Sequence, residues 1–486
     1  MNWNFYGRRT ELDTLRDVIA RKRWFFARIQ GRRRIGKTSL IQQALKACDV
    51  RAVYVQIPDS APTGVISAFG DALETFEIPQ TLTAAPRSFA ELARSIETLI
   101  RAGFVVVLDE FQYFTRKHLF EFTSHLQAVV DRLTREAALV RGGLIVLGSI
   151  HSEMSALLED RSAPLYLRTT HNLDLGHLDI ASVCEILRVH ADDDPRRLLF
   201  LWNLFEGVPK FYRDAYEQGV IAAPRKVLLE KLFFQSSSPL RTEADNWFLH
   251  ELRGRYDVVL KYIARNPGCT NADLVAHMTQ ISAESPAEIG GYIRNLRDRL
   301  AMIERKLPVF AKPSAAKGRF YIRDNFLRTW LHALKSQSEA IHFKPAAELV
   351  AQSDERLADS EGQGLEGLVA TLYEERSRKA IGFPLSSRIH GYWDRRNVEL
   401  DLIAIDDDRK VLRIANCKRA PEKLVQSLKS YDEHIARFLE AIPAEVRSFR
   451  VEKVGISPVL DAKARRALKA SGYLAEDLAD LTRGLS

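Results

Sequence analysis

The segment "GRRRIGKTSL" (residues 31–40) carries the residue types and spacing of a phosphate cradle, Gly31-x-x-x-x-Gly36-Lys37-Thr38. Glycines at these positions let successive backbone N–H groups curl around an anion at a helix N-terminus, where the helix dipole favours negative charge. The Lys37 ammonium is placed for β- and γ-phosphates, and the Thr38 hydroxyl for Mg²⁺. The candidate nucleotide contacts are therefore Gly31, Arg34, Ile35, Gly36, Lys37, Thr38 and Ser39. Arg32, Arg33 and Arg34 either meet phosphate or form a solvated loop. Downstream lies "FVVVLDEFQ", an apolar run that reads as a strand buried on both faces. Asp109 emerges at its carboxyl end, where ligands sit in parallel sheets, and is a candidate Mg²⁺ ligand with Thr38. Glu110 follows as the group that would polarise an attacking water. ATP and Mg²⁺ are the cofactors this pattern calls for.

These groups need a sheet to hold them. Short β-rich runs ("WFFARIQ", "RAVYVQI", "FVVVLDE", "LIVLGS") alternate with helical stretches in the first part of the chain. That alternation predicts a parallel α/β sheet with crossover helices. We place this P-loop ATPase domain at 1–178. The β runs then give way to helical periodicity, marking a helical segment at 179–250. A second helical block belongs to a domain at 251–330, and mixed α/β patterning returns at 345–486.

The block 251–330 has a winged-helix rhythm. Thr270 caps "NADLVAHM", and Ser285, Pro286 and Glu288 form a capping box at the head of the next helix. Along that helix Ile293, Leu296, Leu300 and Ile303 follow the spacing of one core face. Arg294, Arg297 and, in the strand candidate "RFYIRD", Arg319 are left as candidate DNA-contacting cations. The competing reading is a winged helix used for packing or oligomerisation.

The chain resembles the archaeal-type P-loop ATPase family of the AAA+/STAND group. The resemblance rests on "FYGRRTEL", "GRRRIGKTSL", "VVVLDEFQ", "IVLGSIHSEM", "APLYLRTT" and "EGVPKFY". It implies a catalytic role for Ser149 as the residue that reads the γ-phosphate, and an arginine-finger role for Arg168. In this sequence Leu167 stands where the family has glycine. The resemblance also implies that 179–250 is the helical lid, with Gly207 and Pro209 as its Gly-x-Pro motif, and that the "FYGRRTEL" start packs near the nucleotide base. The last domain resembles DUF234, itself similar to PD-(D/E)XK nucleases, which implies a restriction-endonuclease-like α/β fold. Its carrying residues are Glu366 on "GLEGLVATLYEE", Asp401 in "VELDLIAI" and Lys418 in "NCK". Asn416 stands where the family has an acid. Glu399 shares a strand face with Asp401 and can take its place.

With 46% hydrophobic and 28% charged residues, the composition is that of an ordinary globular protein. No run reaches the roughly 18 apolar residues of a spanning helix, so no membrane partner is expected. The start lacks an apolar signal core, and four scattered cysteines form no metal or disulfide pattern, so we expect a cytoplasmic protein. The net charge of +8 permits a polyanionic partner without requiring one. The leading reading is an ATP-driven switch that binds duplex DNA, with a nucleotide-dependent homo-oligomer as a possible working form. An ATP-dependent DNA endonuclease and an ATP-gated protein-interaction scaffold are the alternatives.

Overall fold

The computed structural model describes residues 3–241, 243, 255–281, 285–312 and 317–485. They fall into two compact units, Gly7–His177 and Met1–Tyr6 with Leu178–Ser486.

The unit Gly7–His177 is built on five strands, β1 (Phe25–Gln30), β2 (Ala52–Gln56), β3 (Val105–Asp109), β4 (Gly143–Gly148) and β5 (His171–Asp174). They run parallel in the order β2-β3-β4-β1-β5. Every residue of β1, β3 and β4 is buried, as their apolar runs require of strands covered on both faces. From β1 the chain crosses to β2 on one side, and later reaches β5 on the other. The direction of winding therefore changes at β1, and a crevice opens outside the carboxyl ends of the strands there.

The second unit begins with helices Ile180–His190, Pro195–Phe205 and Pro209–Glu217. Asp179 and Asp194 cap the first two through their carboxylates. Trp3 stacks on His190 at 5.2 Å, and the Tyr6 hydroxyl meets His190 Nε2 at 2.7 Å. Helices Arg255–Arg265, Asn271–Ile281 and Pro286–Arg294 follow. They are closed by an antiparallel hairpin of β6 (Ile303–Lys306) and β7 (Arg319–Ile322). The capping box of Ser285 and Glu288 is present. Ile303 differs from the helical expectation. The chain turns at Ala301, which is left-handed with φ 51°, so Ile303 reaches the core from β6 while Ile293 and Leu296 reach it from the helix.

The 33-residue helix Ala346–Arg378 runs about 50 Å and serves two layers. Its earlier part, as far as Gly364, packs on helix Pro195–Phe205; a Cβ on Gly364 would fall 2.4 Å from Asn203 Oδ1, so the approach requires glycine. Its later half covers a mixed sheet of β8 (His390–Trp393), β9 (Glu399–Asp406), β10 (Val411–Cys417), β11 (Arg450–Ser457) and β12 (Leu474–Asp477), ordered β12-β11-β10-β9-β8. Strand alternation divides the side chains. Leu402, Ala404, Ala415 and Cys417 share the core of the long helix. Ile403, Ile405, Leu412 and Ile414 pack with Leu428, Ile435 and Phe438 of helix Pro421–Ala441.

Candidate functional site

At the carboxyl edge of the first sheet, β1 runs into the loop 31–36 and helix Lys37–Cys48. Gly36, at the N-cap, is left-handed with φ 92°, and Arg34 with φ 68°. Such conformations turn backbone N–H groups into a concave nest. No side chain caps the helix, so its first N–H groups remain available to an anion. Gly31 serves a different purpose from Gly36, because a Cβ there would lie 2.5 Å from the Leu175 carbonyl oxygen. Ile35 is buried beneath the loop, whereas Arg34 and Ser39 are exposed.

Lys37 is buried, and its ammonium donates to Gly31 O at 2.8 Å, Arg32 O at 3.1 Å and Ser149 Oγ at 3.0 Å. Burial pulls its pKa down to about 8, against the opposing pull of Asp109 and Glu110. The Thr38 hydroxyl donates to Asp109 Oδ2 at 3.1 Å. A hydroxyl and a carboxylate held this close, with a buried lysine behind them, suit a Mg²⁺–phosphate pair. Glu110 sits in a left-handed turn (φ 55°) directly after β3. Ser149 stands at the end of β4, the neighbour of both β1 and β3. The structure thus gathers Lys37, Thr38, Asp109, Glu110 and Ser149 from three adjacent strand ends.

Two residues of this site escaped the sequence reading. Tyr54 on β2 donates its hydroxyl to Asp109 Oδ2, the oxygen that also accepts from Thr38. Burial and that bond raise the phenol pKa. Gln112, fully buried, donates to Glu110 Oε2 and accepts from the Ser149 N–H at 3.2 Å. The available signal was a lone amide within the apolar run "FQYF" (residues 111–114).

Arg168 lies elsewhere. Its guanidinium forms a bidentate pair with Asp131 at 2.7 and 3.2 Å and donates to Tyr166 O at 3.1 Å. It precedes β5, and Thr170 N bonds Phe26 O, so Arg168 sits at the amino edge of the sheet, opposite its own phosphate loop. Leu167, at the family's glycine position, is left-handed with φ 54° and 77% exposed. Pro209 belongs to the second unit, where it opens helix Pro209–Glu217.

The second unit brings together Glu366, Asp401 and Lys418. Lys418 Nζ donates to Asp401 Oδ2 at 3.1 Å, and the Cys417 N–H donates to the same oxygen at 2.8 Å. Burial raises the pKa of Glu366, and Asp401 raises it further, with Lys418 opposing. Asp401 is likewise raised by burial. Two carboxylates that resist joint ionisation are the donor set a divalent cation suits. Glu399 is more exposed and is engaged by Arg319, whose Nη1 donates to Glu399 Oε1 at 2.6 Å and whose guanidinium lies 4.7 Å over the Trp393 ring. Asn416 corrects the expectation for its position. It is fully buried, and its Nδ2 donates to Ser427 Oγ of helix Pro421–Ala441 at 3.0 Å, on the sheet face away from the long helix that carries Glu366.

Of the expected DNA contacts, Arg294 is exposed, Arg297 is paired with Asp298 at 2.6 Å, and Arg319 is committed to Glu399. The loop between β6 and β7 is also tied to the mixed sheet. Val309 N donates to Gly391 O at 2.9 Å, and Trp393 Nε1 donates to Lys317 O at 2.8 Å.

Comparison with solved structures bears on this geometry. The Walker-type ATPase PABY2304 of Pyrococcus abyssi superimposes with a TM-score of 0.52 at 18% identity, over 67% of this chain and 96% of that one. The fold is that of a Walker-type ATPase. The Aeropyrum pernix ORC2 protein aligns over 74% of this chain and 97% of its own, with 15% identity and a TM-score of 0.47. In sequence, the uncharacterised protein MJECL04 of Methanocaldococcus jannaschii is 25% identical over 420 residues, 84% of this chain and 86% of that protein. No protein-family profile matches the chain. Among the described residues no helix is long and apolar enough to cross a membrane.

Proposed function

We propose that the chain is a Mg²⁺-dependent ATPase whose nucleotide cycle governs a DNA-binding body formed by the winged helix and the mixed-sheet domain. The observation that carries the reading is the convergence of Lys37, Thr38, Asp109 and Ser149 on one sheet edge, with Glu110 beside them. Lys37 has all three ammonium protons on protein oxygens, so binding a phosphate exchanges at least one of those bonds. Thr38 and Asp109 would hold the ion, which supplies charge neutralisation at the phosphates. Glu110 takes the proton of the attacking water, and Ser149 meets the terminal phosphate. Arg168, on the opposite edge of its own sheet, could act only on the nucleotide of a neighbouring copy, in a homo-oligomer. Duplex DNA is the proposed partner of the basic helix bearing Arg294 and Arg297.

Lys37→Ala tests the nucleotide half of this reading. Loss of the phosphate counter-charge should weaken ATP binding by a hundredfold or more, which is about 2.8 kcal/mol at 1.4 kcal/mol per factor of ten. Undiminished ATP affinity measured by titration calorimetry would sink it. An endonuclease is the second reading, favoured by the meeting of Glu366, Asp401 and Lys418. In the nucleases that this domain resembles, such acids bind metal and the lysine positions water. Plasmid cleavage in Mg²⁺ or Mn²⁺ that Asp401→Ala removes would establish it.

A further inference from the structure

From its contacts we infer that Gln112 is a positioning residue for ATP hydrolysis, setting the place of the Glu110 carboxylate relative to Ser149; this rests on the ATPase reading above. The amide has one orientation that satisfies both neighbours. Its Nε2 faces a carboxylate oxygen of Glu110, which only accepts, and its Oε1 faces the Ser149 N–H, which only donates. Gln112 is fully buried in the turn Phe111–Thr115, between Phe111 and Phe114 of the core, so it has little freedom to adopt another pose.

The consequence is a continuous chain of bonds. Lys37 Nζ donates to Ser149 Oγ, the Ser149 N–H donates to Gln112 Oε1, and Gln112 Nε2 donates to Glu110. One end of this chain is the ammonium that meets phosphate, and the other is the base that meets water. Thr38 and Asp109 are bonded to each other, and Asp109 also to Tyr54, whereas Gln112 bonds Glu110 and Ser149, so nucleotide and metal binding should not depend on it.

The test is a double-mutant cycle on the full chain, reading ATP turnover and the Kd for ATP separately. Gln112→Leu keeps the volume and removes both bonds. Gln112→Glu keeps an acceptor for Ser149 but cannot donate to Glu110 when ionised. Both should lower kcat by about tenfold to a hundredfold, no more than the low end of the roughly 10²–10⁴-fold that a positioned base supplies. The ATP Kd should stay within about twofold, because that change is small beside the 1.4 kcal/mol of a tenfold effect. In the Glu110→Gln background, Gln112→Leu should change kcat by less than about twofold, since a residue that acts through Glu110 has nothing left to position. A further loss in that background, or a matching loss of ATP affinity, overturns the inference in favour of a structural role. Wild-type turnover in both Gln112 variants overturns it as well. The ATPase reading itself fails separately: in that case Glu110→Gln alone would hydrolyse ATP like the wild type.

Discussion

A carboxylate at position 416 would have to sit where the Asn416 amide is fully buried against Ser427. Nothing cationic is bonded to Asn416 among the described contacts, so Asn416→Glu buries an uncompensated charge or a displaced proton. We expect a loss of stability of about 1–3 kcal/mol or more, read from denaturant unfolding, and no gain in Mn²⁺ affinity. Tighter Mn²⁺ binding with unchanged stability would show that residue 416 faces the acid pair after all. Leu167 offers the opposite experiment. It occupies a left-handed conformation on the surface, where an L side chain costs about 1–2 kcal/mol relative to glycine. Leu167→Gly should therefore hold or raise the melting temperature, and a clear fall would contradict the strain. The spacing of Gly36, Lys37, Thr38 and of Asp109, Glu110 was legible because phosphate chemistry fixes it along the chain. Gln112 and Tyr54 were not, because their value depends on which strand ends become neighbours.

At the scale of elements, the hairpin β6–β7 is bound to the mixed sheet as well as to its own helices. Arg319 meets Glu399 and Trp393, and the connecting loop bonds Gly391 and Trp393. An ion pair this exposed contributes little by itself, about 0–1 kcal/mol, so its effect is to decide where Arg319 points. Glu399→Gln should release Arg319 to phosphate. The log–log salt slope of duplex binding should steepen by about 0.9, one added phosphate contact. An unchanged slope would mean that Arg319 does not reach DNA even when freed. The helices of this region were readable from caps and core spacing, as Ser285 with Glu288 shows. Their ends were less so. Ile303 fits a helical face in the sequence, yet Ala301 reverses the chain and hands Ile303 to a strand. The docking of hairpin on sheet joins residues about 80 apart and leaves no local pattern to read.

For the whole molecule, alternating apolar runs announced the parallel sheet because strands covered on both faces have no polar side to show. The long helix Ala346–Arg378 was harder to foresee as a shared element, since its two halves face different partners: helix Pro195–Phe205 and the strands β9 and β10. The mixed sheet brings Asp401 and Lys418 together, while it turns Asn416 to the other face. The central claim is nucleotide hydrolysis at the edge of the first sheet, and one comparison tests it most directly. ATP binding and ATP turnover should be measured side by side in the wild type and in Glu110→Gln. The amide keeps the size of the side chain and leaves Lys37, Thr38 and Asp109 in place, but it cannot take a proton from water. The account predicts ATP affinity within about twofold of wild type and turnover reduced by about a hundredfold or more. Turnover in Glu110→Gln at the wild-type rate would contradict it.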